Sequence, residues 1–389
     1  MANNSGSNEG LRSHHQTHHL KPLKQPLDPA VCQKAARYAI RVCEEMSKRS
    51  QLLNAQGDVA VFDRDSVLPH IGELLGRGGF NSVYELKTSA LRDTKTGKII
   101  TSDQQRLAIK FLSDDAMMVP EEFCNGAADL LMEAKYLTAL AAYPHPALIQ
   151  LHGVCDSGPN GFTKTDRAGF FLVIDRLYDT LDRRMDVWKE LKRRRSGQKK
   201  MMTALFLQRL LVIQDIASAL RHLHKLNVIF RDLKPDNVGF DYDGRVKLFD
   251  FGLAKELDPR QRNQNGLYNM SGGTGSRRFM APEVALLEPY GLSADMYSLA
   301  ILMWEVLSLR KAFSYLPVEE HRERVVKGGE RLELDSNWSS TVHHLLESCW
   351  HRDPFKRPPA KEVYKMIRNE IQTIVNDEFP GENGRRKSC

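Results

Sequence analysis

At 389 residues the chain is longer than one hydrophobic core ordinarily fills, so two lobes or two domains are expected. An apolar share of 41% is that of a soluble globular protein, and a net charge of +7 suits phosphate-bearing ligands or acidic partners without calling for nucleic acid. The six cysteines, Cys32, Cys43, Cys124, Cys155, Cys349 and Cys389, form no C-x-x-C pair, which argues against a zinc site or a disulfide framework and for reduced thiols in cytosol or nucleus. The polar MANNSGSNEG start lacks the apolar run of a signal peptide. The longest mostly apolar stretch, Leu299 to Leu307, contains Glu305 and is too short to span a bilayer, so neither secretion nor membrane insertion is expected.

Residues 1 to 28 are rich in Asn, Ser, Gly, His, Lys and Pro and read as a disordered polar tail. His14, His15, His18 and His19 are close enough to chelate a metal, but solvated low complexity is the simpler account. From Pro29 the pattern changes: Val31, Ala35, Tyr38, Val42 and Met46 recur every three to four residues, an amphipathic helix within an extension covering 29–60. Such a helix packs on the domain that follows or docks another protein. VLPHIGELLGRGGFNSVYEL then reads as strand, turn, strand, and Gly76, Gly78 and Gly79 would let backbone N–H groups approach phosphate oxygens; a plain hairpin would look similar.

A polar insertion, TSALRDTKTGKIITSDQQ, leads to RLAIKFL, a strand whose alternation puts Ala108 and Lys110 on one face. HPALIQLHGVC reads as another strand with Leu151 inward, and after a Gly- and Thr-containing loop Phe170 to Ile174 is a buried strand that turns polar at Asp175. WKELKRRRSGQKK carries seven cations within Lys189 to Lys200 and reads as an exposed loop, with nuclear import or docking of an acidic partner as the second reading. LFLQRLLVIQDIASALRHLHK is apolar on most faces, the pattern of a core helix in the larger lobe.

Two stretches carry the chemistry, IFRDLKPDNVGF from Ile229 to Phe240 and VKLFDFGLA from Val246 to Ala254. Asp232 follows an apolar pair and an arginine, so a buried strand end would hold its carboxylate at the rim of a cleft, the place of a general base. Lys234 would meet a transferring phosphate, and Asn237 offers an amide oxygen to a metal. Asp250 follows a short apolar strand that fixes it, and Gly252 lets the backbone turn away behind it. Carboxylates, amide and lysine in this arrangement suit magnesium-dependent phosphoryl transfer. R-D and D-F-G are each ordinary turn chemistry when alone. Together, in this order and spaced for a hairpin between them, R-D-L-K-P-D-N and D-F-G resemble the catalytic and magnesium loops of eukaryotic protein kinases, with the lysine and proline of the serine/threonine type.

The resemblance covers about 66–375 and implies an α+β, bilobal fold: a small antiparallel β-lobe with one helix (66–174), a larger mainly helical lobe (175–375), and a polar tail at 376–389. It implies ATP and Mg2+ as cofactors, and a protein serine or threonine as acceptor. Gly76, Gly78 and Val83 would match the glycine-rich loop, Ala108 would line the adenine pocket, and Lys110 would hold the α- and β-phosphates. That lysine needs a carboxylate to aim it. Of Glu121, Glu122 and Glu133, the last is chosen, because Leu137 and Leu140 extend an apolar stripe from it along one helix. Backbone groups near Asp175 and Leu177 would hydrogen-bond adenine, with Ile174 guarding the back pocket. Asp232 would be the base, Lys234 would offset γ-phosphate charge, and Asn237 and Asp250 would hold magnesium.

By the same resemblance Arg231 would pair with a phosphate on the segment between Gly252 and Ala281, where Tyr268, Ser271, Thr274 and Ser276 are hydroxyl acceptors. An upstream kinase acting on Ser271 or Thr274 is the expectation, whereas Ser276 matches a threonine that bonds the catalytic aspartate and lysine. Glu283 would pair with Arg357, and Asp295 would tie down the catalytic loop. MAPE, DMYSLAILMWEV and CWHRDP are spelled most like tyrosine-kinase-like serine/threonine kinases. Three positions depart from the family: Asn81 at the third glycine, Phe230 for the usual histidine, and Gly239 where a leucine-like side chain normally lies beneath adenine. Asn tolerates positive φ, so the loop turn is expected to survive; Phe230 is expected to stack on Phe251. The competing class is a kinase-fold scaffold working through its extension or basic loop.

Overall fold

The computed structural model describes Leu23 and residues 26–378, apart from 49, 55–56, 89, 102–106 and 196. The tail histidines, and the end of the chain from 379, lie outside the described residues. Helix α1 (Pro29–Ser47) starts where a proline has no N–H to lose, with the Ala30 N–H donating to the Asp28 side chain at 2.8 Å. Its most buried stripe is Cys32, Ala35, Ala36, Ala39 and Cys43, while Val31, Tyr38, Val42 and Met46 are only partly covered. Small side chains on the inner face let it lie close along the helix that carries Glu133.

The small lobe follows as β1 (Ala60–Phe62), α2 (Arg64–Val67), β2 (Ile71–Arg77), β3 (Asn81–Leu86), β4 (Ala90–Arg92), β5 (Ile99–Thr101), β6 (Leu107–Leu112), α3 (Asp114–Met118), α4 (Pro120–Leu140), β7 (Leu151–Cys155) and β8 (Leu172–Asp175). Six strands form one sheet in the order β1-β7-β8-β6-β3-β2. All its pairings are antiparallel except the edge pair β1 and β7, which is parallel. The extension before residue 66 thus supplies a strand that an all-antiparallel reading missed. Gly153 makes room for it, since a Cβ there would lie 2.1 Å from the Phe62 ring. Within the polar insertion β4 pairs with β5, and the Asp93 carboxylate between them accepts from the Val61 N–H at 2.9 Å, fastening the hairpin to β1. Every residue of β6 is buried, so its alternation reflects two covered faces rather than one wet face.

The larger lobe contains β9 (Asp179–Thr180), α5 (Leu181–Arg194), α6 (Lys199–Lys225), β10 (Val228–Ile229), β11 (Val238–Phe240), β12 (Val246–Leu248) and β13 (Lys255–Glu256). Then come α7 (Pro282–Ala285), α8 (Ser293–Ser308), α9 (Val318–Glu320) running into a π-helical turn His321–Lys327, α10 (Ser340–Cys349) and α11 (Ala360–Glu378). By length and composition α6 is apolar enough to cross a membrane, yet it packs against α8 and α11 as the lobe's core helix. Its buried Arg209 donates to Leu307 O at 2.6 Å, neutralising the C-terminal carbonyl end of α8. Burial pulls that guanidinium down to about 10. The basic run is a correction to the loop expectation: Lys189 to Arg194 end α5 and Lys199 and Lys200 open α6. Glu190 accepts from Arg193 at 2.7 Å and from Arg194 at 2.5 Å, and Lys189 reaches Asp186 at 2.7 Å, which relieves the repulsion that argued for a loop.

Candidate active site

The cleft lies where the sheet, α4 and the two short ribbons of the larger lobe meet. From β6, Lys110 reaches across to α4: its Nζ is 2.6 Å from Glu133 Oε2 and 3.2 Å from Asp250 Oδ1. Glu133 is buried, whereas Glu121 and Glu122 are exposed in the first turn of α4, so position along the helix separates the three candidates. Burial alone would lower the Lys110 pKa, but Asp250 and Glu133 more than offset it and hold the ammonium charged. The same lysine holds the Asp250 carboxyl below its ordinary range. Asp250 sits at φ +69, in the left-handed region, a strained backbone that turns its side chain back toward the lysine.

Asp232 is the second centre. Its Oδ1 accepts from the Ser276 N–H at 2.9 Å and the Ser276 hydroxyl at 2.8 Å, and its Oδ2 from Lys234 Nζ at 2.8 Å and Asn237 Nδ2 at 2.9 Å. Lys234 Nζ also donates to Ser276 Oγ at 3.0 Å. This leaves the Asn237 amide oxygen as the end not spent on Asp232. From α8, Asp295 accepts from the backbone N–H groups of Phe230 and Arg231, both at 2.9 Å, and lies 2.8 Å from His224 Nε2. Phe230 meets Phe251 edge to face, centroids 5.3 Å apart, so the aromatic replacement packs the catalytic loop against the D-F-G turn.

On the roof of the cleft, a Cβ added at Gly76 or Gly79 would meet no atom within 4 Å, so packing does not require glycine at either. Their open backbone suits close approach of phosphate oxygens. Gly78 N–H donates to Asn81 O at 2.8 Å, closing the turn. The turn survives with Asn81, as expected, and without a positive φ there: Asn81 belongs to β3, paired with Leu112, and its carbonyl closes the glycine turn. Val83 and Ala108 lie on β3 and β6, with Val83 opposite Lys110 and Ala108 opposite Ile174 of β8. At the strand that ends the small lobe, the Asp175 carboxylate turns to His152 Nε2 (2.8 Å), Lys247 Nζ (3.0 Å) and the Gln150 N–H (3.0 Å). Its side chain is therefore a clamp between lobes. Leu177 answers the gap at Gly239: a Cβ added there would stand 2.6 Å from Leu177 Cδ1, so the leucine fills the floor from the opposite side.

Residues 70–367 match the protein kinase domain. The chain belongs to the protein kinase family. It is 30% identical over 276 residues to the serine/threonine-protein kinase STY17 of Arabidopsis thaliana, covering 70% of this chain and 42% of that protein. Likeness to the serine/threonine-protein kinase Sgk1 of Gallus gallus is 29% over 304 residues, 78% of this chain and 59% of the relative. With the dual specificity protein kinase shkC of Dictyostelium discoideum it is 31% over 183 residues, 46% and 35% of the two chains. The chain thus spans between 35% and 59% of the length of these three relatives.

Within this kinase fold, two features carried no signal in the sequence reading and a third was read differently. Asp129, one helical turn before Glu133 on α4, lies against Gly252, and burial with the charges of Asp250 and Glu133 pushes its carboxyl up to about 6. Arg176 pairs with Glu85 of β3 and lies over the Tyr178 ring at 4.8 Å, linking the lobes beside the cleft. Tyr268 was counted among the accessible hydroxyls, but it is buried, with its OH accepting from Arg262 Nε at 2.8 Å.

Proposed function

We propose that the chain is a serine/threonine protein kinase that transfers the γ-phosphate of magnesium-bound ATP to a protein hydroxyl. The observation that carries this reading is the closed Lys110, Glu133 and Asp250 cluster in the same cleft as Asp232, Lys234 and Asn237. Glycines 76 and 79 leave room for phosphates, and the Asp250 carboxylate with the Asn237 amide oxygen is a donor set suited to a hard cation. Magnesium would neutralise charge on the nucleotide phosphates. Lys110, aimed by Glu133, would bind the α- and β-phosphates, and Asp232 would orient the acceptor hydroxyl and take its proton. The test is transfer from Mg-ATP to generic protein substrates, with phosphoamino-acid analysis. Transfer to serine and threonine that Asp232→Asn loses supports the reading. Transfer to tyrosine as well would make the activity dual, and no transfer despite magnesium-dependent ATP binding would favour the scaffold.

Regulation belongs to the same proposal. Arg231, at φ +72, donates from one guanidinium nitrogen to Ser271 Oγ at 3.2 Å and Tyr290 OH at 3.3 Å. Burial and the nearby Arg231 lower the Lys255 pKa. Thr274 instead donates to Ser271 O at 3.0 Å and lies 3.1 Å from Ser271 Oγ, so its hydroxyl stands one bond further from Arg231. A phosphate on Ser271 would thus gain charge-assisted hydrogen bonds that one on Thr274 would not. Ser271→Ala is expected to remove most of the activation produced by an upstream kinase and Thr274→Ala to remove little. Equal activation of parent and Ser271→Ala, measured after phosphorylation, would refute this.

The floor of the nucleotide pocket gives another expectation. Gly239→Ala should push Leu177 upward and raise the KM for ATP, at a cost of about 1–3 kcal/mol for overpacking. Pairing it with Leu177→Ala should recover most of the loss in an ATP titration, whereas an unchanged KM in the single variant would show that this floor does not face nucleotide.

A further inference from the structure

The segment before the kinase domain makes a polar contact outside the cleft, on a strand of the larger lobe. After α1, Ser50 and the N–H of Leu52 both donate to one oxygen of Glu256, the latter at 3.1 Å, while Ser50 Oγ accepts from the Leu53 N–H at 2.7 Å. Leu52 and Leu53 are buried behind this contact. Glu256 lies on β13 opposite Val228 of β10, the strand that leads directly into Phe230, Arg231 and Asp232. Its own N–H donates to the Tyr136 hydroxyl at 2.9 Å. Tyr136 is a buried residue of α4, three positions beyond Glu133 and so on a neighbouring face of the same turn. Along the rest of α4 lies the small-residue face of α1, with Cys43 near Lys135 and Tyr136.

We infer that the stretch from α1 to Leu53 is a built-in brace of the catalytic site: it latches Glu256 and sets α4, and with it Glu133, where the carboxylate meets Lys110. Glu256 is the positioning residue at the junction. The physical reason is that α4 is held to the sheet on one side only, and its rotation by part of a turn would carry Glu133 away from a lysine 2.6 Å distant. Contacts from α1 and from Tyr136 to Glu256 oppose that rotation from the other side. Because α1 precedes the kinase domain, a partner that lifted it would loosen the lysine pair without touching the cleft.

This inference rests on the kinase reading, so its test separates the two. Ser50→Ala, Glu256→Ala and the double variant are made in the full chain and examined by steady-state kinetics and by amide hydrogen exchange. The expected result is a rise of about tenfold in the KM for ATP in Glu256→Ala, a size common for coupled sites, and a smaller one in Ser50→Ala. The double variant should be no worse than Glu256→Ala, since both act through one contact. Exchange should quicken across Leu130 to Leu137 and at Glu256, and stay unchanged in α11. A merely structural contact would lower the melting temperature and leave KM and α4 exchange as they were, which would overturn the brace. Should Glu256→Ala fail to fold, Ser50→Ala, which removes one hydroxyl, decides on the same readouts. A parent chain without phosphate transfer would refute the kinase reading while the exchange data still judge the brace.

Discussion

Replacing Asp232 with asparagine is expected to lower kcat by about 10²–10⁴-fold, the usual worth of a positioned general base. Four donors converge on this carboxylate, from Ser276 N–H and Oγ, Lys234 Nζ and Asn237 Nδ2, at 2.8–2.9 Å. An amide in its place can accept on one side only, and it takes no proton from an acceptor hydroxyl. The KM for ATP should change little, because Lys110, Glu133 and Asp250 are untouched. Stability should fall by no more than about 1–3 kcal/mol, the cost of leaving a buried donor unpaired. The check is steady-state transfer on folded protein, with thermal melting alongside. A kcat within tenfold of the parent would remove Asp232 from its role and, with it, the reading of the cleft.

Breaking the Glu283–Arg357 pair should have the largest effect on stability. The two side chains form a fork, with Arg357 Nη1 2.6 Å from Glu283 Oε1 and Nη2 2.8 Å from Oε2; the side-chain exposures are 0% for Arg357 and 5% for Glu283. Glu283 ends the activation segment on α7, and Arg357 lies just before α11, so the pair holds that segment to the body of the larger lobe. Glu283→Ala would leave a guanidinium buried without its counter-charge, which costs about 3–5 kcal/mol. For a domain of this size that is a fall of roughly 5–8 °C in Tm. Arg357 also donates to His351 O at 2.8 Å and Ser293 O at 3.1 Å, so Arg357→Met would leave carbonyls unpaired as well as the carboxylate. The double variant should recover part of the Glu283→Ala loss, because no lone charge remains. A melting temperature within about 2 °C of the parent in Glu283→Ala would show that the pair is not stabilising.

Local order in the chain was enough to pick out Lys110, Asp232, Lys234, Asn237 and Asp250 as the residues the structure gathers in one cleft, because they are marked by residue type and spacing inside two short loops and one strand. Periodicity also picked Glu133 out of three glutamates, since one helix face can be counted from its apolar neighbours. It misjudged the basic run, where Glu190 and Asp186, lying between the cations, make a helix tolerable. At Asn81 the turn survives as read, but its conformation follows from pairing with β6 rather than from a tolerance of positive φ.

What only the tertiary structure decided is what joins distant segments. The sequence alone determined that this is a two-lobed phosphate-handling fold with its reactive residues in order. It held no sign that Leu177 would fill the space left by Gly239, or that Ser50 would reach Glu256, 206 positions on. Nor did it distinguish Ser271 from Thr274, which stand three residues apart with the same hydroxyl; only the placement of Arg231 separates them. Residue identity carries chemistry and short-range periodicity carries faces. Which face meets which partner is set by packing the whole chain, where each contact depends on every other being made.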